Sequence, residues 1–373
     1  MPTANVNPEY MARALQLAAR GRYTTHPNPR VGCVIVNGDR VVGEGWHQRV
    51  GGPHAEILAL KAAGEQARGA DVYLTLEPCA HTGRTPPCVE ALIKAGVGRV
   101  IAATRDPNPK VAGRGLDRLR ETGIPVVVGV METAARRMNR GFFLRMNEKR
   151  PFVRLKLAAS LDGRTAMASG ESQWITSIEA RDDVHRLRAE AGAVLTGSAT
   201  VVADDPAMTV RVPAPEGLHE WPQPARIVID SRLQSSPQAK IFADDARRIV
   251  LTASRDDARR EALERLGVEV RVLAPADDGS VPLEQGLRTI AGFEINEVLL
   301  ECGPRLAGAM VRAALVDEMI VYLAPKLLGD SARPLAALPG IERLDDAVDL
   351  DVREIRNVGR DLRITAAPVR RAG

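Results

Sequence analysis

Four residues in two short stretches carry the clearest chemistry in the sequence. "PHAEILAL" supplies His54 and Glu56, and "TLEPCAHTGRTPPC" supplies Cys79 and Cys88. One imidazole and two thiolates make a three-donor set for zinc, leaving a fourth tetrahedral position for a water that the metal acidifies towards ~7. A regular helix points positions i and i+2 about 200° apart. His54 and Glu56 therefore reach one centre only if His54 sits at the helix entrance, where Pro53 puts it. Glu56 then stands beside the water without binding metal, and can carry protons between it and a substrate. The same cysteines admit other readings: a Cys79–Cys88 disulfide, or a closed structural zinc site with His81 or His47 as fourth ligand. Four cysteines (Cys33, Cys79, Cys88, Cys302) in so long a chain weigh against a disulfide framework, and a closed site has no use for the His-x-Glu pair.

Such residues need a scaffold, and the first 145 residues alternate between helical and strand-like patterns. Asn7-Pro8 offers an N-cap and first-turn pair for a helix whose apolar positions Met11, Ala14, Leu15 and Ala18 recur at helical spacing. "VGCVIV" and "RVVGEGW" read as strands joined at Asn37-Gly38, a hairpin signal. A helix from about His54 to Ala63 follows, then strands "DVYLTL", "RVIAAT" and "IPVVVGV" separated by helices that close at Gly96 and Gly123. This is an α/β sandwich pattern. Around "RMNEKRP" (residues 145–151) the periodicity lapses, and a second series begins with "FVRLKLAAS". The boundary is placed there, giving domains 1–149 and 150–373. The second half again alternates, with strands near "AVLTG", "ARIVID", "RIVLT", "VEVRVL" and "EVLLE", and a proline-rich loop "VPAPEGLHEWPQP".

Composition narrows the partners. At 45% hydrophobic and 26% charged, the 373 residues are those of an ordinary globular chain with room for two cores. A net charge of +4 and a pI near 9.0 suit anionic small molecules, and aromatics at 3% leave few stacking platforms for nucleic acid. The N-terminal "MPTANVNPEYMARALQ" has no signal-peptide pattern, and no apolar run is long enough to span a membrane. The expectation is a cytoplasmic protein with neither nucleic-acid nor membrane partners.

The order His-x-Glu then Pro-Cys…Cys is the signature of zinc nucleobase deaminases, and the sequence resembles that superfamily. Where the usual second half is Cys-x-x-Cys, Cys79 and Cys88 are separated by "AHTGRTPP". With "HPNPRVGCVIV" before it and "RDPNPKVAGRGL" after it, this longer insert resembles the deaminase half of the bifunctional riboflavin-biosynthesis deaminase/reductases. The second half carries "VRLKLAASLDGRTA", "ESQWITS", "TGSATVVADDPAMTVR", "VIDS" and "MIVYLAPKLLG", which are similar to the reductase half of the same family.

The resemblance implies a cytidine-deaminase-like three-layer α/β domain followed by a dihydrofolate-reductase-like domain. It implies removal of the 2-amino group of 2,5-diamino-6-ribosylamino-4-pyrimidinone 5′-phosphate, then NADPH-dependent reduction of the ribosyl chain to ribityl. It also implies a homo-oligomer, a dimer or tetramer. Zinc falls to His54, Cys79 and Cys88, and proton transfer to Glu56. Polar anchors for the first substrate are expected at Asn28, His47, His81, Arg84, Thr85, Asp106 and Asn108, all of them also ordinary turn or cap residue types. Cofactor contacts carried over from the family fall on Ala158, Trp174, Thr200, Asp204, Ser231 and the turn from Gly303; substrate contacts fall on Ser172, Arg188, Met208, Arg211 and Glu301. No Gly-x-Gly-x-x-Gly follows a strand, so a Rossmann site is not indicated. "EVLLECGPRLAGAMVRAALVDE" instead reads as strand, turn and helix, a geometry that points N–H groups at a phosphate. Within "FVRLKLAAS" the alternation sends Lys156 away from the apolar side of Val153, Leu155 and Leu157, either into solvent or to the ribose chain as a proton donor.

Overall fold

The computed structural model describes residues 6–80, 87–109 and 111–369, and the chain divides into two compact units, Met1–Lys149 and Arg150–Gly373. The first contains, in order, α1 (Pro8–Ala19), β1 (Gly32–Asn37), β2 (Arg40–Trp46), α2 (Ala55–Ala63), β3 (Asp71–Leu74), α3 (Cys88–Ala95), β4 (Arg99–Ala102), α4 (Arg114–Glu121), β5 (Val126–Val128), α5 (Glu132–Met138) and α6 (Arg140–Glu148). Asn7 caps α1 by accepting Glu9 N–H at 2.9 Å, and Pro8 fills the first helical position. The sheet order is β2-β1-β3-β4-β5. β1 runs antiparallel to β2 and β3, while β3, β4 and β5 are parallel.

Both faces of this sheet are covered, which gives three layers. Cys33, Ile35, Val72, Leu74 and Val100 pack against Ala55 and Ala59 of α2, Val89 and Leu92 of α3 and Leu119 of α4. On the other face Val34, Tyr73, Ile101 and Val127 meet Met11, Ala14 and Leu15 of α1 and Ala135 of α5. Cys33 is thus a core side chain. Two glycines of β2 set the depth of α2. A Cβ on Gly43 would lie 2.3 Å from the Ala59 carbonyl oxygen, and one on Gly45 would lie 2.3 Å from that of Ala55. Only glycine lets the helix entrance approach the sheet so closely.

The second unit contains β6 (Phe152–Ser160), β7 (Arg164–Ala166), α7 (Ile178–Glu190), β8 (Ala193–Gly197), α8 (Ser198–Asp204), β9 (Ala225–Ile229), β10 (Arg248–Thr252), α9 (Asp257–Glu264), β11 (Glu269–Val272), α10 (Leu283–Gly292), β12 (Glu297–Glu301), α11 (Pro304–Arg312), β13 (Glu318–Ala324), β14 (Arg333–Pro334), β15 (Leu350–Val358) and β16 (Asp361–Pro368). Nine strands form one sheet in the order β11-β10-β9-β8-β12-β6-β13-β16-β15. It is parallel as far as β13, and β16 is antiparallel to both β13 and β15. Leu287 and Ile290 of α10 and Ala307 and Met310 of α11 close one face, and Ala180, Val184 and Leu187 of α7 close part of the other. The first strand is pinned by Arg150, which makes a bidentate pair with Asp317 at 2.7 and 2.8 Å.

The sequence pattern does not announce the β15–β16 hairpin. A bulge lies between Val352 and Glu354, so Val352 and Ile355 reach the same face at a spacing of three rather than two. The period-2 signal is broken there, and the strand is exposed along almost its whole length.

Candidate active sites

In the first unit, β2, α2 and α3 converge on the His-x-Glu and cysteine residues. His54 is the N-cap of α2 with extended backbone (φ −74°, ψ 162°), so its ring leaves the helix at the entrance, as the i, i+2 argument requires. Glu56 sits in the first turn, only 3% exposed. Cys79 follows β3, and Cys88 is the first residue of α3. The His54 Nδ1 lies 3.2 Å from Cys88 Sγ and 3.6 Å from Cys79 Sγ, and Cys88 N–H donates to Cys79 Sγ at 3.3 Å. All three donor atoms lie within 4.8 Å of one another. Both thiols are free, so the disulfide reading fails.

The electrostatics fit a cation. The two thiols shift in opposite directions: Cys79 is held down to about 4 by the hydrogen bond from the Cys88 side chain, by His54 and by the Cys88 N–H, while the same bond and burial push Cys88 up, a strain that a shared cation relieves. Burial pushes the Glu56 carboxyl up to about 6, a range suited to giving and taking a proton near neutrality. Two thiolates and one imidazole of this compactness are a zinc donor set, and Glu56 lies outside it. The closed-site reading required a fourth ligand. His47 does not supply it: its Nδ1 donates to the Pro53 carbonyl at 3.1 Å and its Nε2 accepts from Asn28 Nδ2 at 3.1 Å. His81 lies outside the described residues, with Arg84 and Thr85.

His47 and Asn28 nevertheless belong to the centre, because the His47 ring stands edge-on to His54 with centroids 5.6 Å apart. Asp106 and Asn108 lie together in the loop after β4, where Asp106 Oδ1 accepts Asn108 N–H at 2.8 Å. Burial raises the Asp106 carboxyl to about 6, with Glu77 and Cys79 adding to the effect. Glu77 itself is a residue the sequence reading passed over. It is 4% exposed and accepts three backbone N–H groups.

In the second unit, Lys156 and Glu301 are register partners on the adjacent parallel strands β6 and β12. The Lys156 ammonium lies 3.8 Å from Glu301 Oε2, so it is neither in solvent nor in the apolar core. Burial lowers the Lys156 pKa, and Glu301 opposes that shift. Arg188, from α7, grips Glu301 at 2.6 and 3.0 Å and also donates to the Thr209 carbonyl at 3.0 Å. Burial alone would raise the Glu301 carboxyl, but Arg188, with Lys156 and His185, holds it at about 2. Met208 lies against this cluster, its sulfur 3.7 Å from Arg188 Nη2, and Arg211 Nη1 donates to Thr209 Oγ1 at 2.8 Å. Lys156, Arg188, Met208, Arg211 and Glu301 thus form one polar group.

A cleft of about 960 Å³ opens at the C-terminal ends of β8, β9 and β12, where open α/β sheets bind ligands. Thr200, Asp204, Ser231 and Gly303 all line it. Gly303 caps α11, and its N–H donates to Thr200 Oγ1 at 3.2 Å. Arg232, Arg305 and Arg333 also line the cleft and suit phosphate groups; lone surface arginines carry no sequence signal that would have singled them out. Ala158 and Trp174 do not line it. Ala158 is paired in β6 with Tyr322, and Trp174 is 62% exposed beneath the Arg181 guanidinium. Ser172 lies half-buried in the segment before α7.

Comparison with known proteins covers the chain in both units. Residues 5–104 match the family described as the cytidine and deoxycytidylate deaminase zinc-binding region, and residues 151–364 match the RibD C-terminal domain. The riboflavin biosynthesis protein RibD of Escherichia coli (strain K12) is 53% identical over 95% of this chain and 97% of its own length. Acinetobacter baumannii RibD, form 1, superposes with a TM-score of 0.90 at 44% identity, covering 97% of this chain and 99% of that one. The Thermotoga maritima diaminohydroxyphosphoribosylaminopyrimidine deaminase/5-amino-6-(5-phosphoribosylamino)uracil reductase does so with a TM-score of 0.83 at 32% identity, covering 97% and 98%. His54, Cys79 and Cys88 form the zinc-binding deaminase site that the first match describes, and the reductase domain implies a nicotinamide cofactor. Among the described residues, no helix is long and apolar enough to cross a membrane.

Proposed function

The chain belongs to the RibD family of bifunctional riboflavin-biosynthesis enzymes, a zinc deaminase and a reductase in one polypeptide, and on that premise we propose how its residues divide the two reactions. Residues 1–149 deaminate 2,5-diamino-6-ribosylamino-4-pyrimidinone 5′-phosphate, and residues 150–373 reduce the ribosyl chain of the product to ribityl with NADPH. Both ligands are phosphorylated and water-soluble, which puts the reactions in the cytoplasm.

The observation that carries the first assignment is the set of three donors within 4.8 Å beside a buried carboxyl held near 6. Zinc on His54, Cys79 and Cys88 supplies an acidified water. Glu56, buried and outside the donor set, takes one proton from that water to the pyrimidine ring nitrogen and carries the second to the departing amine, which leaves as ammonia. Asn28 keeps the His47 ring in one tautomer, and the pair with Asp106 and Asn108 walls the pyrimidine and its ribose. His81, Arg84 and Thr85 are assigned to the same wall from the insert between the cysteines.

For the second reaction, NADPH supplies hydride. Thr200, Asp204, Ser231 and Gly303 would hold the cofactor in the cleft, and Ala158 and Trp174, outside the cleft lining, are assigned to it by the family resemblance alone. Lys156 delivers a proton to the ribose chain. Glu301 keeps the ammonium ionised against its burial, and Arg188, Met208, Arg211 and Ser172 bind the substrate's sugar and phosphate.

The test is incubation of the chain with the diaminopyrimidinone phosphate, with and without NADPH, followed by mass analysis. Ammonia release without NADPH, and gain of hydrogen only when it is present, is the expected result. No ammonia from a zinc-loaded chain overturns the assignment.

A further inference from the structure

Glu77 stands two residues before Cys79, and its carboxylate belongs to no metal shell. The three N–H groups it accepts come from the two ends of one connection: Asp106 after β4, and Gly113 and Gly115 at the start of α4. Oε2 takes Asp106 N–H at 3.1 Å and Gly113 N–H at 3.0 Å, while Oε1 takes Gly115 N–H at 3.0 Å. The Glu77 N–H in turn donates to the Thr104 carbonyl at 3.0 Å. The loop therefore leaves from and returns to a single carboxylate oxygen.

Gly113 and Gly115 are the N-cap and second residue of α4, and Gly113 offers no side chain to satisfy the orphan donors of that first turn. Glu77 supplies the missing acceptor from a distant segment, with its negative charge at the positive helix end. The approach is close: a Cβ on Gly115 would lie 2.1 Å from the Pro78 carbonyl oxygen. Inside the loop, the Asn108 carbonyl accepts Val111 and Ala112 N–H at 2.8 and 3.0 Å.

We propose that Glu77 is a positioning residue for deamination, holding the Asp106–Asn108 turn in fixed register with the segment that carries Cys79. The inference rests on the reading above that Asp106 and Asn108 face the substrate. The donor inventory explains why the residue is a glutamate. An ionised carboxylate accepts on both oxygens, whereas glutamine offers one acceptor and sets an NH2 against a donor. Aspartate is one methylene short of the same reach.

The experiment compares the full chain with Glu77→Gln, Glu77→Asp, Asp106→Asn and the double variant Glu77→Gln/Asp106→Asn, measuring bound zinc, deamination kinetics and reduction of supplied intermediate. Leaving one or two buried N–H groups unpaired is expected to raise the deaminase KM roughly ten- to hundredfold in Glu77→Gln, with zinc retained. Glu77→Asp should give a smaller rise in the same direction. The reductase activity of the same polypeptide should be unchanged, and the retained zinc reports that the unit carrying Glu77 is folded. In the double variant the KM increase should fall well short of the product of the two single effects, because Asp106 is already displaced. An unchanged KM in Glu77→Gln, multiplicative effects in the double variant, or zinc lost in proportion to activity each overturn the proposal. A parent chain that does not deaminate the pyrimidine overturns the functional reading instead.

Discussion

The two catalytic regions are gathered in opposite ways. In the first unit three donors that would otherwise remain an awkward group of two thiols and an imidazole lie within 4.8 Å, with a thiol already pulled down to about 4. A single cation resolves all of them at once. In the second unit the charges answer one another without help: Lys156 and Arg188 share Glu301, and Arg188 also holds the loop at Thr209. The lesson is one of failure modes. A centre built on one ion fails all at once, whereas a network of pairs fails by degrees.

The sharpest break should come from Cys88→Ser. Removing one of three ligands is expected to abolish zinc binding and deamination together, while reduction of supplied intermediate persists; metal analysis and both assays on one preparation check it. Loss of reduction as well would mean that the two sites are not independent. A smaller effect is expected from Lys156→Ala, which should cost roughly 10²-fold or more in the reductase rate and leave zinc and deamination at the parental level.

Acid stability sharpens the comparison further. The Glu301 carboxyl sits at about 2 in the folded chain against an ordinary value of 4.5. Its folded-state pKa is depressed, so its contribution is complete above about 4.5 and is lost as pH falls from there towards 2. That contribution is on the order of 3 kcal/mol. Unfolding of the second unit followed against pH should show this loss in the parent, and Glu301→Gln should be less stable near neutrality but lack that acid step. At the small end, Arg288→Ala breaks only an exposed pair with Glu284 and should change stability by no more than about 0.5 kcal/mol, as read by the melting temperature.

The same contrast decides what the sequence made legible. His54, Glu56, Cys79 and Cys88 could be read because each pair sits in one short stretch, and for the first pair a helix period converts that spacing into geometry. The strands "FVRLKLAAS" and "EVLLE" were equally plain as runs, and alternation put Lys156 on the correct side. That Lys156 meets Glu301 was not legible from spacing, since the contact depends on which strands become neighbours. Glu77 was hidden for a related reason. Its partners are backbone N–H groups, which every residue but proline possesses and no residue type reveals. The β15–β16 hairpin escaped because one bulged residue, Arg353, shifts the alternation halfway along the strand.

The neighbours of β6 also set the order in which the chain can acquire structure during synthesis. In the first unit every strand partner of the sheet is available by Val128, so that unit can close while the remainder is still being made. β6 emerges first in the second unit but sits between β12 and β13, whose residues begin at Glu297 and Glu318. An apolar strand with Val153, Leu155 and Leu157 must therefore wait, unpaired, for most of the second unit to appear. The ribosome thus releases a finished deaminase fold tethered to a reductase whose oldest strand gains its second neighbour only near the end of synthesis.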